Sequence, residues 1–150
     1  MFKIILASKS KVRKKILDEH SILNEVRHSN VDEDIIKTSL LKENASPEII
    51  SKNLAELKAN KVSITEKDNL VLGADSVIDL DGELISKPNS RQEALVILKK
   101  LNGKKHFLIS SVCISKNGSM IWNYTDKAKL TMKNFSEEEL RDYLSKISDE

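Results

Sequence analysis

Apolar positions along this chain come in short continuous runs and at helical spacing, and the two patterns alternate. Residues 3–7 read as a short buried strand. Ser10 then caps a helix through about residue 20, where Val12, Ile16 and Leu17 recur at helical spacing among Lys11, Arg13, Lys14 and Lys15. Residues 24–31 have the character of a second short strand and run into the acidic cluster Asp32, Glu33 and Asp34. Ser46-Pro47-Glu48 predicts a helix start, with Ser at the cap and Pro at the first helical position. That helix extends to about residue 62, with Ile49, Ile50, Leu54, Leu57 and Lys61 marking its turns. Residues 70–74 are continuously apolar, as in a strand covered on both faces, and Asp75 stands at the end of the run. Residues 76–80 continue to Asp81-Gly82, a hairpin signal ahead of residues 83–85. Ser90 and Glu93 form a capping box for a helix that closes at Asn102-Gly103. Residues 106–115 and 120–132 read as strands joined by the Asn117-Gly118 turn, and Ser136 with Glu139 opens a last helix to about residue 147. The order predicts an α/β (α+β) domain around a mixed sheet.

Composition narrows the classes. The chain has 150 residues, of which 39% are hydrophobic and 32% charged, enough apolar material for one core and one domain over residues 1–150. No apolar run approaches the ~20 residues of a membrane span. The first seven residues are too short for a secretory leader. Cys113 is the sole cysteine, so no internal disulfide exists and a cytoplasmic protein is expected. With 25 basic and 23 acidic residues the net charge is +2, and only four of the cations are Arg. Binding to a nucleic-acid polymer is therefore not expected.

Three places carry candidate chemistry. Ser8, Ser10 and Arg13 sit where a strand runs straight into a basic helix start, and free N–H groups there suit a phosphate, although a Ser-capped surface helix explains the same residues. Asp75 occupies the strand-end position where open α/β sheets place ligand groups, or else caps the strand end or pairs with a Lys. Lys87, before Pro88, offers an ammonium after the hairpin; it and Lys58 on the helix after Ser46 also fit a solvated surface. Glu33 either ligates a metal or solvates a loop. The glycines are too few for a Walker loop or a dinucleotide fingerprint. His20, His28 and His106 lack metal-like spacing, which argues against zinc. Ser110 and Ser111 are expected to satisfy each other or the backbone within their strand.

Taken in order, Leu6-Ala7-Ser8-Lys9-Ser10-Lys11-Val12-Arg13, Val31-Asp32-Glu33, Leu54-Ala55-Glu56-Leu57-Lys58-Ala59, Gly73-Ala74-Asp75-Ser76-Val77, Asp81-Gly82-Glu83, Lys87-Pro88 and Leu101-Asn102-Gly103-Lys104-Lys105-His106 resemble the Maf family of nucleoside triphosphate pyrophosphatases. The resemblance implies an inosine-triphosphatase-like fold, a mixed twisted β-sheet flanked by helices. It implies a house-cleaning hydrolase that converts a nucleoside triphosphate, modified or not, to the monophosphate and pyrophosphate with a divalent cation, Mg²⁺ or Mn²⁺. Carried onto this chain, Asp75 becomes the general base or a metal ligand, Glu33 the second carboxylate at the metal, and Ser8, Ser10, Arg13, Lys58 and Lys87 the groups on phosphate oxygens. A homodimer is expected on the same basis.

Two departures from the family pattern stand out. The family has Arg or Trp where this chain has Val12, so the preferred base stays open. Family members also run on for about 40–50 residues in a glycine-rich C-terminal segment, and the chain reads as a copy lacking it. The rival reading is a nucleotide-binding or cell-division-associated regulatory protein without significant turnover. Pyrophosphate release separates the two.

Overall fold

The computed structural model describes residues 3–147. The leader reading at Met1 and Phe2, and the chain end at Asp149-Glu150, lie outside the described residues. In chain order the elements are β1 (Ile4–Leu6), α1 (Lys11–Glu19), β2 (Asn24–Val26), α2 (Glu33–Lys42), α3 (Pro47–Thr65), β3 (Leu70–Leu80), β4 (Glu83–Ile85), α4 (Arg91–Leu101), β5 (Lys105–Lys116), β6 (Ser119–Thr131) and α5 (Glu137–Ser145). The strands form one mixed sheet in the order β2-β1-β3-β5-β6, with β4 also pairing β3. β1 is parallel to β2 and β3, while β4, β5 and β6 join antiparallel. This is the mixed, helix-flanked sheet that the element order predicts. Among the described residues, no helix is long and apolar enough to cross a membrane.

α3 lies across one face of β3 and β5, and small residues let it come close. A Cβ on Gly73 would stand 2.3 Å from the Ala55 carbonyl oxygen and 2.8 Å from Ala59 Cβ, so β3 needs glycine there. Ile5, Ala7, Ala55, Ala59, Val62, Val71 and Cys113 close the core on this side. On the other face α4 covers Ile78 and Leu80, and α5 packs on α4 through Leu95, Leu140 and Leu144.

Several sequence expectations change. β3 does not stop before Asp75: it runs unbroken from Leu70 to Leu80, and Asp75 is paired with Ser111 in mid-strand. The strand-like stretch after residue 24 ends at Val26, and Glu33 lies in helix α2 rather than a loop. Asp32 is the cap, its carboxylate accepting from Ile35 N at 3.2 Å. Val12 and Ile16 are exposed, leaving Leu17 as the buried apolar residue of α1. Ile49 and Leu57 also face solvent, since α3 buries the stripe Ile50, Leu54, Ala55, Lys58, Ala59 and Val62. Ser110 and Ser111 point to opposite faces, as neighbours in a strand must, and bond to Ser76 and Ser51 instead of each other. The Ser90 cap is present, but Glu93 reaches back to Asn89 N rather than Ser90 N. The Asn117-Gly118 hairpin forms as expected, with φ of 51° and 87°.

Candidate active site

The site grows from a gap in the sheet. On the edge of β3 away from β5, pairing with β1 ends at Leu72 and pairing with β4 begins at Ile78. The Ala74 carbonyl lies in that stretch and takes two cations instead of a strand: Arg13 Nη1 donates to it at 3.1 Å and Lys58 Nζ at 3.2 Å. The crevice therefore opens beside the carboxyl end of β1, the place where open α/β sheets hold ligands.

The start of α1 forms one wall. Ser10 is its cap, accepting from Arg13 N at 3.2 Å. Ser8 Oγ accepts from Ser10 N at 3.1 Å and from Arg13 Nη1 at 3.2 Å. Asp32 capping sets Glu33 at the first position of α2, aimed at Lys58 of α3. A cavity of about 280 Å³ is lined by Ser8, Ser10, Arg13, Glu33, Lys58 and Lys87. Asp75 lies immediately behind Lys58, with Oδ1 3.2 Å from Nζ. The seven residues singled out from sequence thus come together, though they span positions 8 to 87. Ala7, Lys9, Ser29, Asn30 and Val31 complete the lining and were given no role from the sequence. Lys9 is one residue from Ser8, and Val31 belongs to the stretch quoted for the resemblance. Ser29 and Asn30 carry no signal of their own.

Lys58 is the electrostatic centre. It is 8% exposed, and its three ammonium protons have three acceptors: Glu33, Asp75 Oδ1 and the Ala74 carbonyl. Asp75 is 6% exposed, and its second oxygen, Oδ2, is buried without a hydrogen-bond partner. Burial pushes its carboxyl above the usual range, against the pull of Lys58. Burial also pushes Glu33 upward, but the hydrogen bond and charge of Lys58, with Lys37 and Arg13, outweigh it and hold Glu33 below its ordinary value. Burial lowers Arg13, while Asp75 and Glu33 support its charge. Cys113 is remote from this chemistry, its thiol pushed up to about 11 by burial.

The donor set fits a divalent cation that is completed by its substrate. Among the described residues no group of three or more His, Cys, Asp or Glu forms a ready cage. Glu33 and Asp75 share one cation, Lys58, and Asp75 Oδ2 lacks a partner. Mg²⁺ is commonly held by one or two carboxylates together with phosphate oxygens and water.

The sequence model of the family described as Maf-like protein matches residues 3–149. The chain belongs to the Maf-like family. A relative named nucleoside triphosphate pyrophosphatase in Pelagibacter ubique (strain HTCC1062) is 70% identical over 146 residues, covering 97% of this Maf-like chain and 75% of the relative. One of the same name in Ruegeria sp. (strain TM1040) is 39% identical over 143 residues, 95% of this chain and 72% of that protein. Among solved structures, a nucleoside-triphosphatase/dITP/XTP pyrophosphatase from Mycobacterium abscessus matches with a TM-score of 0.56 at 12% identity, over 87% of this chain and 74% of its own. A HAM1 protein from Coxiella burnetii matches with a TM-score of 0.52 at 14% identity, over 86% and 71%. At such identities the likeness is one of fold.

Proposed function

We propose that this Maf-like protein is a nucleoside triphosphate pyrophosphatase, hydrolysing its substrate to the monophosphate and pyrophosphate in a house-cleaning role. The observation that carries the reading is the meeting of Ser8, Arg13, Lys58 and Lys87 around one cavity, with a buried, under-bonded Asp75 beside it. The cavity lies at the small end of ligand sites, which run ~300–1,000 Å³. It suits a phosphate chain, with the base and sugar outside. The relatives' names agree with this.

In the reaction, Arg13, Lys58 and Lys87 hold and neutralise the phosphate oxygens, which is most of what phosphoryl transfer asks of a protein. Because Lys58 has its three donors engaged, contact with a phosphate requires it to release at least one acceptor. Asp75 Oδ2 accepts a proton from water as the water oxygen bonds to the α-phosphorus; the α–β bridging bond breaks and its electron pair leaves with pyrophosphate. Its raised pKa brings this base closer to neutral pH, where general-base work is most effective. With Asp75 Oδ2 as the base, Glu33 together with phosphate oxygens and water would hold Mg²⁺ or Mn²⁺, which would supply Lewis-acid neutralisation of phosphate charge. The expected assay result is pyrophosphate release with Mg²⁺ or Mn²⁺ across a panel of canonical and modified triphosphates. Binding without release from any member would favour the regulatory reading instead.

A further inference from the structure

Helix α2 is attached to the protein on different terms from the other helices. Each of α1, α3, α4 and α5 buries at least one leucine. None of residues 27–46, all of them described, is buried, and α2 turns Ile35 and Leu41 to solvent. The stretch turns at Asn30 and Asn44, with φ of 54° and 60°, in the left-handed region that Asn tolerates. Two polar ties join it to α3: Lys58 to the Glu33 carboxylate, and Lys61 Nζ to the Asn30 carbonyl oxygen at 2.9 Å. Those lysines are three residues apart, neighbours on one face of α3. Ser29, Asn30, Val31 and Glu33 of the stretch line the phosphate cavity. Lightly packed segments that wall a binding site belong to the low-stability part of a fold, from which lids are drawn.

Lys58 decides when this helix is fixed. Its ammonium has three acceptors and must give one up to touch a phosphate. The three are not equally free to go. The Ala74 carbonyl belongs to β3, which is fixed by its pairing with β5, and the Asp75 side chain on the same strand is 8% exposed. The Glu33 side chain is 39% exposed and rides on α2. A carboxylate that regains water on release costs less than one left buried and unpaired. An arriving phosphate therefore replaces Glu33, and α2 loses its tie to α3 at the cavity as the site fills.

We infer that α2 is a lid of the phosphate cavity, latched by Glu33 on Lys58 and released when a phosphate group takes the place of Glu33; the release rests on the phosphate reading of the cavity. Lys61 keeps the Asn30 end of the stretch at α3, so the motion is a swing of α2 about that end. The coupling is reciprocal: phosphate opens the latch, and a closed latch opposes phosphate. In the empty site the latch compensates the charge of Lys58. In the filled site the Glu33 carboxylate is free, and it is the group that would hold a divalent cation beside the substrate.

The test is residue-resolved amide hydrogen exchange of the full chain in EDTA, with inorganic tripolyphosphate as the probe. Glu33→Gln removes the charge of the latch. Asp34→Asn is the control: it removes the other first-turn acid of the same helix, which is not among the acceptors of Lys58. Without ligand, α2 amides should exchange at least about tenfold faster in Glu33→Gln than in Asp34→Asn, the scale of a lost charge-assisted hydrogen bond, with α4 unchanged. Tripolyphosphate should protect the start of α1 in the parent and in Glu33→Gln alike. It should speed α2 exchange in the parent toward the Glu33→Gln rate, and leave α2 of Glu33→Gln as it was. Equal α2 exchange in the two variants would overturn the latch. Unchanged or slower α2 exchange in a parent whose α1 start is protected would overturn the release. Should tripolyphosphate protect nothing, the phosphate reading fails and the release with it, while the ligand-free comparison still decides the latch.

Discussion

The two faces of the central strands are built on different terms. On the α3 face, Gly73, Ala55, Ala59, Cys113, Ser51 and Ser111 let a helix backbone lie almost against the sheet. On the opposite face of β6, Trp122 and Tyr124 are large, stacked with ring centroids 6.4 Å apart, and 48% and 58% exposed. The bulkiest aromatic side chains of β6 thus stand on the exposed face. What α3 buries alongside its apolar residues is polar: Lys58, Asp75, Ser51, Ser63 and Ser111. Such groups can be buried because close packing brings partners within hydrogen-bond reach, and a buried polar group is costly only when unpaired. Among the described residues that rule is broken at two atoms, His106 Nδ1 and Asp75 Oδ2, and the site sits at the second.

If α3 is held to the sheet by this polar centre, Lys58→Met should be the most damaging single change. It leaves Glu33 and Asp75 without their shared cation, and breaking a buried pair costs about 3–5 kcal/mol. Denaturant unfolding should show the loss at pH 7 and a smaller one in acid, once the carboxyls are protonated. A loss below about 1 kcal/mol at pH 7 would mean the centre is not structural. Gly73→Ala tests the close approach directly. Its Cβ would meet backbone, not a flexible side-chain end, so overpacking of about 1–3 kcal/mol is expected.

How far these contrasts were legible in the sequence depended on range. Caps and turns are local, and Ser46-Pro47, Asn117-Gly118 and Ser136 behave as their chemistry predicts. The short apolar run at residues 70–74 located β3, but not its continuation through Asp75, because a buried carboxylate looks like a strand end until Lys58 is known to face it. α2 was missed because Asp32, Glu33 and Asp34 read as a solvated loop, whereas Asp32 is a cap and its neighbours favour a helix N-terminus. The phase of α3 was misjudged since its buried stripe is carried by Ala, Ser and Lys as much as by Ile and Leu. For the site, the quoted motifs contain every charged residue that lines the cavity, although Lys9 was given no role. Nothing local indicated that Ala74 would offer its carbonyl, or that Ser51 would reach Asp75. Those depend on which strands leave a gap.

The carboxylates make opposite demands on pH. Asp75 has a raised pKa when folded, so its contribution to stability falls as pH rises from the ordinary Asp value to the raised one. Glu33 has a lowered pKa, so its contribution is present above the ordinary Glu value and is lost as pH falls through the lowered one. Unfolding free energy measured against pH should therefore fall less steeply in Asp75→Asn than in the parent as pH rises through that window. Equal slopes would show that Asp75 titrates normally. The smallest effect is expected on the open face: Trp122→Ala should stay within about 0.5–1 kcal/mol of the parent, the range of surface substitutions. A cost above about 2 kcal/mol would show that this face is packed in solution.

The measurement that bears most directly on the account is pyrophosphate release by the parent and by Asp75→Asn, with Mg²⁺ or Mn²⁺, alongside the unfolding transition of each. The parent should release pyrophosphate from at least one nucleoside triphosphate. Asp75→Asn should lose about 10²-fold or more of kcat, the scale of a general base, while unfolding at pH 7 no more easily than the parent, because its buried charge has been removed. A folded Asp75→Asn protein with near-parental turnover would contradict the assignment of Asp75, and a folded parent that releases no pyrophosphate from any triphosphate would contradict the activity itself.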